Sequence, residues 1–291
     1  MEIKQLKNFI KIVEEGNITR AAQKLNMAQP PLSTQMHQLE AELNCTLFQR
    51  GSRNIILTDA GSMLYDKAKT ILTLTDQIPE DINSLGTAIT VLHLGTISSV
   101  SNYLPDVLLP GFIEQYPNIT YNIYERNTYQ LIEAVFSNIV DLAIIRTPFQ
   151  NTGLTCYTIE KNQMYAIGKN KFFSKITSKT MELKALGSSP LIIYRRWEDI
   201  FRKHCISNDI QPYIECICDD ARTALHWAER GFGIGIVPES IISSVSGNDM
   251  IMIPLTPSML SDITLVHRKG KVLSNAAKSF VTYILNKEEQ N

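Results

Sequence analysis

The chain of 291 residues carries 28 Lys+Arg against 29 Asp+Glu, and is 44% hydrophobic and 20% charged. That balance excludes a disordered polymer and a uniformly basic nucleic-acid coat, and the length suits one large or two modest folded domains. No run of ~18 apolar residues is present to span a bilayer, and the opening MEIKQLK lacks the apolar core of a secretion signal. A cytoplasmic location is therefore expected. Five cysteines stand at 45, 156, 205, 216 and 218. An odd number without a secretion signal argues against a disulfide framework. No ligand pair accompanies them at metal-binding spacing, so neither a metal nor a cofactor is expected.

Residues 4–15 read as a first helix, with Leu6, Phe9, Ile10 and Val13 on its apolar face and Gly16 as its C-cap. Two short helical patterns follow. Ile18, Ala21, Ala22 and Leu25 make one stripe, and Leu32, Met36, Leu39 and Leu43 make the next. Between them lies Asn26-Met27-Ala28-Gln29-Pro30-Pro31, and proline suits the first turn of a helix because its missing N–H would be unpaired there. Two short helices joined by such a turn form a helix-turn-helix. Thr34, His37 and Gln38 face away from the second stripe, flanked by Ser33 and Gln35. They mix donors and acceptors, as a helix reading base edges in a major groove requires. On this helix alone, an ordinary solvated face would look the same.

Leu47 and Phe48 then anchor a segment with a turn at Gly51-Ser52 and a short strand over residues 54–57, which reads as a wing. Thr58 caps a long helix with Asp59 in its first turn. Leu64, Ala68, Ile71, Thr75, Ile78, Ile82 and Leu85 step by four and three, a heptad seam that asks for a partner helix. Pro79 is expected to kink or end that helix near Ile78.

Ala21-Ala22, Leu25, Gln29-Pro30-Pro31-Leu32-Ser33, Gln35, Leu39-Glu40, Leu43, Leu47-Phe48, Arg50, Arg53 and Leu57-Thr58-Asp59-Ala60-Gly61 together resemble the DNA-binding domain of LysR-type transcriptional regulators, without a gap through about the first sixty residues. One departure is Ala28, where the family more often has Ser or Thr. The resemblance implies a winged helix-turn-helix over residues 1–58, a dimerisation helix over 59–87, and an effector-binding domain over 88–291. Its DNA-contact candidates are Thr19, Arg20, Gln29, Pro30, Ser33, Thr34, His37 and the wing residues Arg50 and Arg53. Arginine suits phosphate and a narrow minor groove. Residues 1–58 hold seven Lys/Arg and five Asp/Glu, with no acid from Gly16 through Leu39. The docking face is thus free of repulsion by phosphate. Leu64, Ala68, Ile71, Ile78 and Ile82 are the dimerisation candidates, and a tetramer follows from the resemblance alone.

From Ile89 the pattern changes to strands alternating with helices. Strands are expected at 89–94, 119–124, 141–145, 191–194, 213–218, 250–255 and 263–266, with another after Gly231. Helices are expected at 107–115, 129–137, 200–206, 221–230 and 276–285. Alternation of this kind predicts a parallel α/β sheet. The resemblance implies two α/β subdomains like those of periplasmic binding proteins, the first about 89–160 with 265–291 and the second about 161–264. Ligands of open α/β sheets sit beyond the carboxyl ends of strands. Those ends carry Thr96, Ser98, Ser99, Thr128, Arg146 and Arg195. Hydroxyls at helix N-termini with a cation nearby favour an anionic effector such as a carboxylate. Gly231, Gly233 and Gly235 lead into a strand rather than from a strand into a helix, so they are not a dinucleotide fingerprint.

The reading is a ligand-responsive, homo-oligomeric DNA-binding regulator whose partners are double-stranded DNA, a small anionic metabolite and further copies of itself. Three alternatives stay open: a regulator that senses oxidants through cysteines, such as Cys205 with Cys216 or Cys218; an α/β enzyme with a DNA-binding accessory domain; and a DNA-binding protein that needs no ligand, its cleft closed by side chains. The sequence shows no nucleophile elbow, phosphate loop or metal-ligand cluster for the enzyme reading.

Overall fold

The computed structural model describes residues 1–49, 55–86, 90–100, 103–173, 178–187, 189–245 and 249–288. The chain divides into two compact units, Met1–Thr87 and Ala88–Asn291.

In the first unit, α1 (Ile3–Glu15), α2 (Ile18–Lys24) and α3 (Gln29–Leu43) precede the long α4 (Asp59–Gly86). Gly16 closes α1 at φ 62°, the left-handed conformation that glycine tolerates best. Leu6, Phe9, Ile12, Ala21, Ala22, Leu32, Met36, Leu39 and Leu47 form the core, so Ile12 rather than Val13 completes the buried face of α1. Leu43 is exposed and leaves the stripe of α3. Beyond α3, Glu40 Oε1 accepts from the Leu47 amide at 2.7 Å, and Phe48 bridges Leu57 antiparallel. These are the two arms of the expected wing. The turn at Gly51-Ser52 and the arginines Arg50 and Arg53 lie outside the described residues.

Thr58 Oγ accepts from the Gly61 amide at 3.0 Å and so caps α4. The helix does not end near Ile78: it runs 28 residues with Pro79 inside it. Proline removes a single backbone donor, and the bonds on either side carry the helix on to Gly86.

The second unit holds two mixed sheets. The first contains β1 (Thr90–Thr96), β2 (Ile119–Glu125), β3 (Leu142–Arg146), β4 (Leu154–Glu160) and β11 (Ile263–Arg268) in the order β2-β1-β3-β11-β4. Between its strands lie α5 (Leu109–Gln115), preceded by a π-helical turn over Leu104–Leu108, and α6 (Thr128–Phe136), with α10 (Asn275–Glu288) after β11. The second sheet contains β5 (Met164–Lys169), β6 (Met181–Glu182), β7 (Leu191–Tyr194), β8 (Ile214–Cys218), β9 (Ile234–Pro238) and β10 (Met250–Thr256), in the order β6-β10-β5-β9-β7-β8. Its helices are α7 (Leu183–Leu186), α8 (Arg195–Ile206) and α9 (Ala221–Glu229).

The sheets are mixed rather than parallel as expected. β1, β2 and β3 run parallel, as do β7, β8 and β9, but β11 is antiparallel to β3 and β4, and β5 is antiparallel to β9 and β10. The reversed strands are those the chain enters from the other sheet. Such a strand needs no helical crossover and is free to run antiparallel. The two passages between sheets, at 161–163 and 257–262, lie side by side: Gln163 bridges Leu260, and the Ser261 amide donates to the Asn162 carbonyl at 2.8 Å. No described helix is long and apolar enough to cross a membrane.

A Cβ at Gly61 would lie 2.1 Å from the Leu47 carbonyl oxygen. The start of α4 is pressed onto the wing arm there, and only glycine fits. Gly61→Ala is expected to cost about 1–3 kcal/mol through overpacking, seen in denaturant unfolding as a lower midpoint for the N-terminal unit.

Candidate functional site

Two surfaces hold the candidate residues. On the first unit, Asn17 Oδ1 accepts from the Thr19 and Arg20 amides at 2.8 and 3.2 Å and starts α2. α3 begins at Gln29 with Ala28 as its N-cap, without a side-chain cap bond, and its prolines occupy the first turn. Pro30 and Pro31 have no backbone N–H, so within this first turn only the Gln29 amide is left for an outside acceptor such as a phosphate. Thr19, Arg20, Gln29, Pro30, Thr34 and His37 are exposed and Ser33 is half-buried. Thr34 turns its hydroxyl back onto the Pro30 carbonyl at 3.0 Å, and Gln35 is held by Asn8 at 2.6 Å. Gln29, Ser33, His37 and Gln38 remain the groups best placed to reach outward from α3.

The dimerisation candidates split in two. Ala68 is fully buried in the N-terminal core, and Leu64 and Ile71 pack against that core. Ile78 and Ile82 are 53% and 60% exposed. The first half of the seam is thus covered by its own chain, and the second half presents apolar side chains to solvent.

The second surface is a cavity of about 260 Å³ between the two sheets of the second unit. The carboxyl ends of β1, β2, β3, β7 and β8 all open onto it, through Ser98 and Ser99, Thr128, Arg146, Tyr194 and Asp220. Thr128 is the first residue of α6, whose N-cap Asn127 accepts from the Gln130 amide at 3.0 Å. Its own hydroxyl is buried and unpartnered; the Tyr194 hydroxyl and Arg196 Nε are also buried with no acceptor or donor at hydrogen-bond distance, although the two side chains interact electrostatically. A buried polar atom without a partner is costly. Three of them on one small cavity mark where a polar ligand would be held. A larger cavity of about 570 Å³ lies elsewhere, among Tyr103, Leu108, Glu160, Lys161 and Ile284. It contains none of these orphaned atoms and only one sheet borders it.

Arg146 is 1% exposed and joins the two sheets. Its Nε donates to Ser99 Oγ at 2.9 Å, and its Nη1 to the Ser261 carbonyl at 2.5 Å and to Asn162 Oδ1 at 3.4 Å. Its Nη2 donates to Ser240 Oγ. Burial pushes this guanidinium down to about 10. Arg146 lines the cavity, yet each of its three nitrogens already donates to the protein. Arg195, expected in the cleft, is turned away: its side chain is 63% exposed and donates to Asp219 at 2.6 Å. Its neighbour Arg196 lines the cavity instead, donating through Nη2 to the Arg146 and Pro148 carbonyls. α8 begins five residues earlier than expected, and one step along a helix turns a side chain by ~100°. Thr96 is buried and sends its hydroxyl to the Ile97 carbonyl at 3.4 Å, outside the cavity lining.

Sequence reasoning placed the stretch Tyr194-Arg195-Arg196 at the cleft but chose Arg195 from it, and it missed Glu125, Asp219 and Asp220. Only Asp220 had a signal: an aspartate directly before a helical stretch is an N-cap, and it accepts from the Arg222 amide at 2.8 Å. Burial works to raise its carboxyl, but the bonds from Arg222 and the Ser98 hydroxyl outweigh burial and hold it below the usual range.

Head and cleft together define a two-part binding protein, with a helix-turn-helix unit and a two-sheet ligand domain. Residues 3–62 match the family described as bacterial regulatory helix-turn-helix protein, lysR family, and residues 87–288 match the LysR substrate binding domain. The chain belongs to the LysR family of transcriptional regulators. It is 27% identical over 293 residues to the HTH-type transcriptional regulator SoxR of Arthrobacter sp. (strain TE1826), covering 99% of this chain and 98% of that one. It is 31% identical over 256 residues to BsdA of Bacillus subtilis (strain 168), covering 83% and 85%. The crystal structure of the LysR-family regulator CbnR superposes with a TM-score of 0.77 at 25% identity, covering 98% of this chain and 99% of that one. Full-length CbnR bound to its target DNA gives 0.76. The protein is a DNA-binding regulator with a substrate-binding domain, and not an enzyme.

Two of the cysteines named for oxidant sensing, Cys205 and Cys218, have thiols that burial makes less reactive. Burial pushes the thiols of Cys205 and Cys218 each up to about 11, and the thiolate is the reactive form. At pH 8 these two thiols stay protonated in the folded chain. Iodoacetamide is expected to label them roughly 100-fold more slowly than in the urea-unfolded protein, given a shift of about two pH units; mass spectrometry of quenched digests reads both rates.

Proposed function

We propose that the regulator is controlled by a small carboxylate held in the cleft of its second unit. One observation carries this reading: the buried, unpartnered Thr128 hydroxyl, Tyr194 hydroxyl and Arg196 Nε share one cavity. The N-terminus of α6 adds amides and the positive end of its dipole. The anionic partner is thus assigned to Thr128 and Arg196, with Ser98 and Ser99 beside them, while Arg146 holds the two sheets together. Binding then shifts the population between two arrangements of the assembled regulator.

On the DNA side, α3 enters the major groove with Gln29 and Ser33 toward base edges. Thr19, Arg20, Pro30, Thr34 and His37 flank it, and the wing arginines Arg50 and Arg53 reach phosphate or minor groove. Ile78 and Ile82 on α4 pair with a second copy, so that two recognition helices meet two half-sites. The domain limits follow: a head over 1–58, a linker helix over 59–87 and an effector domain over 88–291.

Thermal unfolding against a panel of small carboxylates tests the cleft. A ligand at 100 times its dissociation constant adds about 2.7 kcal/mol of stability. Thr128→Ala is expected to remove that gain, and a shift that survives the substitution would place the ligand elsewhere. Gln29→Ala and Ser33→Ala are each expected to weaken specific DNA binding by about 1–3 kcal/mol. Arg20→Ala should instead weaken all sequences alike and reduce the salt slope by about one. Unchanged titrations for all three would refute the docking. Ile82→Glu is expected to shift sedimentation toward the monomer while the head keeps its unfolding midpoint.

A further inference from the structure

Resting on α3 as the helix that enters the major groove, we propose that Thr34 is a specificity-determining residue: its γ-methyl reads the 5-methyl group of a thymine in each half-site. The buried stripe of α3 is Leu32, Met36 and Leu39. Two steps of ~100° carry Thr34 about 200° round the helix from Leu32, so it stands at the middle of the exposed face. A threonine at such a place ordinarily offers its hydroxyl to a base or a phosphate. Here the hydroxyl is turned back: Oγ1 donates to the Pro30 carbonyl at 3.0 Å, the local bond that competes for threonine in helices. Its one proton is spent on the helix's own backbone. The branch of Thr34 left to make a new contact is the methyl.

The residues beside it on that face extend the same character. Pro30 and Pro31 precede Thr34 by four and three positions, the spacing that puts side chains on one helix face. Both are exposed, and neither has an N–H to donate. Pro30, Pro31 and Thr34 therefore make an exposed patch of ring methylenes and one methyl, with no donor to spare. The hydrogen-bonding side chains of Gln29, Ser33, His37 and Gln38 border it, and polar readout falls to them. A base donor or acceptor pressed against the patch would lose water and gain no partner, which is costly. The major groove offers one apolar group that suits it, the C5-methyl of thymine, whereas the edges of A, G and C carry only donors and acceptors there. The base under Thr34 is thus a thymine, and cytosine, which lacks the methyl and brings an amino donor, is rejected.

The test uses the full-length protein and the duplexes it selects from a random-sequence DNA library. Each thymine of the selected half-site is replaced in turn by uracil, which removes the 5-methyl and leaves every hydrogen-bonding group of the base pair in place. At one thymine per half-site the replacement is expected to weaken binding about fourfold, the worth of one buried methyl. Thr34→Ser keeps the back-bonding hydroxyl and loses the methyl, so it should bind the thymine and uracil duplexes alike. Thr34→Val keeps a methyl and loses the hydroxyl, so it should retain the preference. Both changes lie on an exposed helix face, where substitutions cost little stability, and unfolding midpoints check that the head is intact. A selected site in which no thymine methyl counts, a preference that survives in Thr34→Ser, or one lost in Thr34→Val overturns the assignment and leaves α3 standing as the recognition helix. Selection of no sequence at all overturns that docking as well.

Discussion

The second unit depends on one buried cation. Arg146 comes from the end of β3 in one sheet and hydrogen-bonds Asn162, Ser240 and Ser261, which belong to the second sheet's side or to the passages between sheets. A guanidinium in an apolar interior costs several kcal/mol to desolvate, and here four polar acceptors offset it. The acceptors are neutral oxygens rather than carboxylates at bonding distance. The contact therefore fixes direction and spacing more than it stores charge. It also forms part of the cavity lining.

The paired passages at 161–163 and 257–262 act with it. The Asn162 amide donates to Asp262 Oδ1 at 3.0 Å, and the Asp262 amide to Thr147 Oγ at 2.9 Å. Two antiparallel strips side by side bend about a common line more easily than they shear. Arg222 of α9 and Glu125 of β2 meet 3.2 Å apart from opposite sheets at the cavity. Both side chains of that pair are exposed, so it contributes little to holding the sheets together.

Much of this was legible in the sequence, and the failures share a cause. The helix-turn-helix was readable because each short helix buries a stripe at i, i+3, i+4, i+7, and α3 must start where two prolines stand. Ser98, Ser99, Thr128 and Arg146 were readable as strand ends in an alternating pattern. Arg196 was not, because its phase depends on where α8 starts, and Arg195 and Arg196 look alike in a string. β4 and β5 were missed: their direction and partners follow from the chain's return between sheets, a long-range fact that leaves no local periodicity. Ala68 carried the opposite error. A seam residue reads the same whether its partner is a second copy or the same chain's first helix, and the packing against α1 decides it.

That packing has a mechanical consequence. With Leu64, Ala68 and Ile71 locked to the N-terminal core, the head cannot swivel on its linker, and head and helix move as one lever. A helix of 28 residues is about 42 Å long at 1.5 Å per residue. Tilting its far end by about 5° carries the recognition surface sideways by roughly 4 Å, close to the ~3.4 Å rise of one base pair. A small tilt at one end of this helix is thereby enlarged, at the other, to the scale of a base-pair step.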